Sequence, residues 1–173
     1  GDGYRINGSK IFTTHGRHAD VLLVYVRYGP GLDGIGSVLL ERGAPGFTAG
    51  EPSRFLSGEQ WVQLYFDNVH VPPENVLLTF GGFKKQIAGF NVERIGNTAR
   101  SLALGRYCYE QARQWALQRK QFGRLLAEFQ GIQWKFADMK IELDAAQLLL
   151  YRAAVNADRG LPSAEETAIA KAY

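Results

Sequence analysis

Residues 90–123 read FNVERIGNTARSLALGRYCYEQARQWALQRKQFG, a proline-free stretch with helical spacing that opens on Glu93-Arg94 and closes on Arg119-Lys120-Gln121-Phe122-Gly123. At about 1.5 Å of rise per residue, one helix would hold Glu93 and Arg119 roughly 40 Å apart, too far to serve one pocket within a chain. The two charged ends are therefore expected to serve two sites, as in an oligomer where one subunit's helix end completes another's pocket. The pattern spans about 81 to 119 and is apolar on several sides. Val92, Ile95, Ala99 and Leu102 share one face, and Leu104, Cys108 and Trp115 another. Such a helix belongs inside a bundle.

Working toward the C-terminus, Leu125, Phe129, Ile132, Phe136, Met139, Leu143, Ala146, Leu150, Ala153 and Ala157 follow at spacings of three and four. This is the seam of bundle packing and reads as core. Gly160 offers a C-cap, and Pro162-Ser163 with Glu166 a capping box that opens a third helix.

Toward the N-terminus, residues 1 to about 77 read as β structure. Tyr4-Arg5-Ile6 and Lys10-Ile11-Phe12 flank Asn7-Gly8, the dipeptide suited to a type I′ hairpin turn. Within residues 20–28, Val21-Leu22-Leu23-Val24-Tyr25-Val26 predicts a strand covered on both faces. Further strands are expected over 36–40 and 61–66, the latter with mixed faces. Pro72-Pro73 is expected to end the β region, since proline donates no ladder hydrogen bond. Short strands separated by Gly, Pro and Asn turns suggest a small barrel or sandwich.

The 173 residues can bury a real core, and 46% hydrophobic with 21% charged residues is ordinary for a globular protein. The net charge of +3 is small and scattered outside 119–124, which argues against nucleic acid as the main partner. Cys108, the single cysteine, reads as a buried structural thiol. His15, His18 and His70 lack metal-ligand spacing, so no metal site is expected. No apolar run approaches the ~20 residues of a membrane span. The chain opens on Gly1-Asp2-Gly3-Tyr4 and stops within a helical pattern at Ala170-Lys171-Ala172-Tyr173, so a piece of a longer polypeptide is expected.

Three segments, in order and covering nearly the whole chain, resemble the acyl-CoA dehydrogenase family. Residues 3–16 (GYRINGSKIFTTHG), followed by Ala19-Asp20, resemble the entry into its middle β domain. Residues 66–77 (FDNVHVPPENVL) resemble the exit. Arg119-Lys120-Gln121-Phe122-Gly123, with Phe129-Gln130 and Ala137-Asp138-Met139, resembles the first half of its C-terminal helical domain. The fold implied is α+β: a small antiparallel β barrel or sandwich over 1–80, then a truncated antiparallel helical bundle, part of a four-helix bundle, over 81–173.

The resemblance implies FAD, an acyl-CoA thioester as substrate, α-proton abstraction by a carboxylate and hydride transfer to flavin N5. It also implies electron-transfer flavoprotein as electron acceptor and a homodimer or homotetramer. The compartment would be the bacterial cytoplasm or the mitochondrial matrix. Phe12-Thr13-Thr14 aligns with the residues that meet the flavin ring, with Phe12 in place of the usual tryptophan. Arg119, Lys120 and Gln121 align with residues that hold the pyrophosphate and adenosine of a neighbour's FAD, and Phe122, Phe129 and Gln130 with its adenine side. Phe90, Asn91, Val92 and Arg94 align with the acyl pocket. Glu93 matches the base position of isovaleryl- and long-chain-type enzymes; other members carry the base in a late loop, which would lie beyond Tyr173. An acyl-CoA oxidase, a flavin monooxygenase, or a non-catalytic binding or assembly relative would use the same scaffold.

Overall fold

The protein, described by a computed structural model, is placed over residues 2–157 and 160–173. Its strands are β1 (Tyr4–Thr14), β2 (Val21–Arg27), β3 (Ile35–Glu41), β4 (Phe47–Ala49), β5 (Ser53–Arg54), β6 (Gln60–Val71) and β7 (Val76–Leu78). Helix α1 (Phe83–Ala116) follows, then the short strands β8 (Lys120–Gln121) and β9 (Arg124–Leu125), α2 (Gln130–Asn156) and α3 (Ala164–Ala172). The chain forms two compact units, Gly1–Gln86 and Ile87–Tyr173.

In the first unit β6 is the hub. It pairs with β1 along one edge and with β4 and β5 along the other, while β2, β3 and β7 form a second antiparallel sheet. Leu22, Val24, Val38 and Leu40 from one sheet and Val62, Leu64, Phe66, Val69 and Val71 from the other make a single buried cluster. The β unit is therefore a two-sheet sandwich.

Three local expectations give way to tertiary structure here. Asn7-Gly8 does not turn: β1 runs straight through it against β6, with a register shift between Ile6 and Gly8. Asn7 Oδ1 accepts the Asn68 backbone N–H at 2.8 Å, and the long ladder with β6 outweighs one local turn. Second, the apolar run of β2 is covered on one face only. Leu22 and Val24 are buried, whereas Val21 and Leu23 are about half exposed. In β6, likewise, Val62, Leu64 and Phe66 point inward and Tyr65 outward. Third, Pro72-Pro73 does not end the sheet. Pro73–Asn75 makes a 3₁₀ turn, which satisfies the fixed proline φ, and β7 then pairs with β3 at Ser37↔Leu78 and Val38↔Val76.

In the second unit, Tyr109 of α1 meets Phe136 of α2 edge-on at 5.7 Å, and the Gly105 backbone lies against Leu143. The contacts descend along α2 as they rise along α1, so the two helices run antiparallel. The inward stripe of α2 ends in Leu150 and Ala153, both buried, against the buried Thr167 and Ala170 of α3. The stripe's first two members, Leu125 and Phe129, precede the helix, which starts at Gln130. Ser163 caps α3 by accepting the Glu166 N–H. The carboxylate of Glu166 turns instead to Asn156 at 2.7 Å and Arg152 at 3.8 Å, so only half of the expected capping box forms. Ala157, not Gly160, caps α2; Gly160 comes three residues later at φ 142°. Cys108 is exposed, contrary to the expected buried thiol, because its side of α1 opens onto a groove shared with Met139 and Leu143.

Candidate functional site

Residues 119–125 are not a helix end. α1 stops at Ala116, and the chain makes a two-residue hairpin in which Lys120 pairs with Leu125 and Gln121 with Arg124. Its tip, Phe122-Gly123, has φ 51° and 84°, the positive pair of a type I′ turn. Glycine takes such values freely, but holding a phenylalanine there costs roughly 1–2 kcal/mol. The hairpin is anchored at its base, where Arg119 N–H donates to the Trp115 carbonyl and Leu126 N–H to the Arg119 carbonyl, both at 2.9 Å.

The strained turn presents the Phe122 ring 93% exposed. Phe129 stands edge-on to it at 6.4 Å, and the Arg124 guanidinium covers the Phe129 ring at 4.0 Å. Arg119 and Lys120 are exposed, and no acid pairs with either among the described residues. Gln121 donates its side-chain amide to the Lys120 carbonyl, and Gln130 is the exposed first residue of α2. Two free cations beside an uncovered aromatic ring suit an anionic, ring-bearing ligand such as the diphosphate and adenine of a dinucleotide.

Near the start of α1, Asn91 is buried at 6% exposure and its amide donates to the Pro162 carbonyl at 3.0 Å. Arg94 donates to Asn91 Oδ1 at 2.8 Å, and Thr98 Oγ1 donates to the Arg94 carbonyl. Arg94 is thus held by its own helix and forms no ion pair with Glu93 among the described residues. Glu93 is exposed; the Asn97 amide approaches one carboxylate oxygen at 3.5 Å. Val92 is 56% exposed and Phe90 half-buried. Midway along the helix, hydrogen bonds from Arg113 at 2.6 and 3.0 Å hold the Glu110 carboxyl below its ordinary range, and this pair belongs to neither end.

At the end of β1 the register shifts between Lys10 and Thr13, and Phe12 sits in that bulge at φ 58°. Its ring, 59% exposed, meets Trp61 edge-on at 4.7 Å and Phe55 at 6.4 Å. Thr13 and Thr14 are half-buried opposite Val62 and Trp61, and their hydroxyls make no hydrogen bond among the described residues. Both remain available to a ligand at the strand end. Sequence reasoning missed Phe55 and Trp61 as supports of Phe12, because only the pairing of β1 and β5 with β6 brings them there. No cluster of three or more metal-ligating side chains occurs among the described residues.

The family model described as acyl-CoA dehydrogenase, C-terminal domain, matches residues 81–173, and the one for the middle domain matches residues 1–69. The chain belongs to the acyl-CoA dehydrogenase family. An acyl-CoA dehydrogenase of Bacillus subtilis is 41% identical over 98% of the chain and 46% of its own length. The solved structure of butyryl-CoA dehydrogenase from Megasphaera elsdenii superposes with a TM-score of 0.90 at 38% identity, over 96% of the chain and 45% of that structure. A chain in the structure of the electron transferring flavoprotein of Acidaminococcus fermentans also superposes at 0.90, with 35% identity over 98% of the chain and 46% of its own. The chain spans about half the length of the curated relatives it matches. Acyl-CoA dehydrogenases are FAD-dependent oxidoreductases acting on CH–CH bonds. No helix among the described residues is long and apolar enough to cross a membrane.

Proposed function

We propose that the polypeptide containing this chain carries out FAD-dependent α,β-dehydrogenation of an acyl-CoA thioester, with a β domain over 1–80 and a helical domain over 81–173. The observation that carries this reading is the anchored hairpin, with Arg119 and Lys120 unpaired beside the exposed Phe122. Arg119 and Lys120 would hold the diphosphate of a neighbouring subunit's FAD, Phe122 its adenine, and Gln121, Phe129 and Gln130 the flank. Phe12, Thr13 and Thr14 would meet the flavin ring. When bound, FAD supplies the hydride acceptor. Glu93 takes the α proton of the thioester, whose carbonyl must be polarised by hydrogen bonds. A late-loop carboxylate beyond Tyr173 is the alternative base. Phe90, Val92 and Arg94 line the acyl pocket, and Asn91 acts behind them by fixing the Arg94 guanidinium. Electron-transfer flavoprotein is the proposed acceptor, in bacterial cytoplasm or mitochondrial matrix, with the enzyme a homodimer or homotetramer.

Arg119→Ala removes a charge-assisted contact of about 1.5–3 kcal/mol and is expected to weaken FAD retention by roughly 10- to 150-fold. Calorimetric titration of the apoprotein with FAD measures this, and unchanged affinity would remove Arg119 from the site. Thr14→Ala deletes a neutral hydrogen bond of about 1 kcal/mol, so a roughly fivefold loss is expected together with a shifted flavin absorption band. Unaltered FAD content and spectrum would overturn that assignment. Anaerobic bleaching by acyl-CoA, followed by slow reoxidation in air, marks a dehydrogenase; fast reoxidation marks an oxidase.

A further inference from the structure

Three cations stand on the hairpin, Arg119, Lys120 and Arg124, and they are not equivalent. The first two have no acid or ring against them among the described residues, whereas Arg124 lays its guanidinium over the Phe129 ring at 4.0 Å. Glu128, the acid nearest to Arg124 in sequence, does not compete for it. Its carboxylate accepts the Leu125 N–H instead.

The backbone beneath the Phe129 ring is fixed. Phe129 joins the 3₁₀ turn Leu126–Glu128 to α2: its N–H donates to the Leu126 carbonyl at 3.1 Å, and its carbonyl accepts the Ile132 and Gln133 N–H groups at 2.9 and 3.1 Å. The Gln133 side-chain amide fastens the turn further by donating to the Ala127 carbonyl at 2.8 Å. Only the side-chain torsions of Phe129 are left free, and a guanidinium on one face of the ring restricts them. Phe122 has less support. At the tip it is 93% exposed, and its one ring neighbour among the described residues is Phe129 at 6.4 Å. The contacts therefore run in series, from Arg124 to Phe129 and from Phe129 to Phe122.

We propose that Arg124 is a positioning residue for the adenine end of the dinucleotide: it holds the Phe129 ring, and through it the Phe122 ring, in the orientation that adenine meets, and binds no phosphate itself. This rests on the hairpin being the diphosphate and adenine site, and it separates Arg124 from the two cations that reach the ligand. A ring free to turn must be ordered when the ligand arrives, which subtracts from affinity, and a ring ordered beforehand avoids that loss. Arginine suits the task because its charge is drawn to the negative face of the ring and its planar group stacks there.

The test is calorimetric titration with FAD of the polypeptide containing this chain, freed of cofactor, at several salt concentrations. Arg124→Met keeps an apolar stem and removes the cation, and is expected to weaken FAD about two- to fivefold. The salt dependence of the affinity should stay as in the unaltered protein, because salt screens pairing to the diphosphate and Arg124 takes no part in that pairing. Arg124→Lys, which restores a cation over the ring, should recover part of the loss. Arg119→Ala, measured in parallel, should weaken FAD and flatten the salt dependence. Unchanged affinity in Arg124→Met overturns the proposal. So does a loss with the flattened salt dependence of Arg119→Ala, which would make Arg124 a phosphate ligand. If Arg119→Ala changes neither quantity, it is the assignment of the hairpin to FAD that fails. Should Arg124→Met lose its native circular dichroism, Arg124→Lys is compared with and without Phe129→Leu: an effect that vanishes without the ring supports the proposal, and one that persists overturns it.

Discussion

Replacing Glu93 by glutamine is expected to slow exchange of the thioester α proton with solvent by about 10²–10⁴-fold, the contribution of a positioned general base. The substitution keeps size and hydrogen-bonding shape and removes only the proton acceptor. FAD content should not change, because among the described residues Glu93 bonds none of those assigned to the cofactor, its one hydrogen-bond contact being the Asn97 amide at 3.5 Å. Mass spectrometry of substrate incubated in D₂O with the anaerobic enzyme measures the exchange directly. Retained exchange would move the base to a carboxylate beyond Tyr173. A carboxylate base at neutral pH works best in an apolar, water-poor setting, yet Glu93 is exposed in this chain. If Glu93 is the base, substrate and the rest of the polypeptide must supply that desolvation, so the exchange rate should rise steeply with acyl-chain occupancy of the pocket.

Leu64→Ala is expected to cost about 2–5 kcal/mol, a large share of the roughly 5–15 kcal/mol that holds a typical domain together. Leu64 is 2% exposed on the hub strand β6, where it pairs with both Lys10 of β1 and Ala49 of β4. Its side chain belongs to the cluster that joins the two sheets, so truncation opens a cavity at the centre of the sandwich. Urea unfolding followed by tryptophan fluorescence would show it as a lower midpoint, with Trp61 on the same strand as reporter. The neighbouring Tyr65→Ala is the control: that side chain points outward at 45% exposure and should cost much less. Equal losses at the two positions would contradict the burial assigned to β6.

What the amino-acid sequence determines by itself is whatever depends on neighbours along the chain. The three-and-four spacing from Ile132 to Ala153 marks the inner face of α2, Ser163 marks the start of α3, and the apolar runs at 21–26 and 36–40 mark β2 and β3. Each is a local periodicity or a cap, readable without knowing what packs opposite. The chemistry of the candidate residues is legible in the same way, since a guanidinium or a carboxylate is named by its letter.

Tertiary structure alone decides where two segments distant in sequence compete for the same backbone. Asn7-Gly8 has the letters of a hairpin turn and Phe122-Gly123 only half of them, yet the first lies flat in a ladder with β6 and the second makes the turn. Many long-range hydrogen bonds outweigh one favourable turn, and two short strands closing on each other can bear one strained phenylalanine. For the same reason the Asn91 amide reaches the Pro162 carbonyl, 71 residues away, and Trp61 braces Phe12. Those contacts are set by the path of the chain between the residues, which side-chain periodicity does not encode.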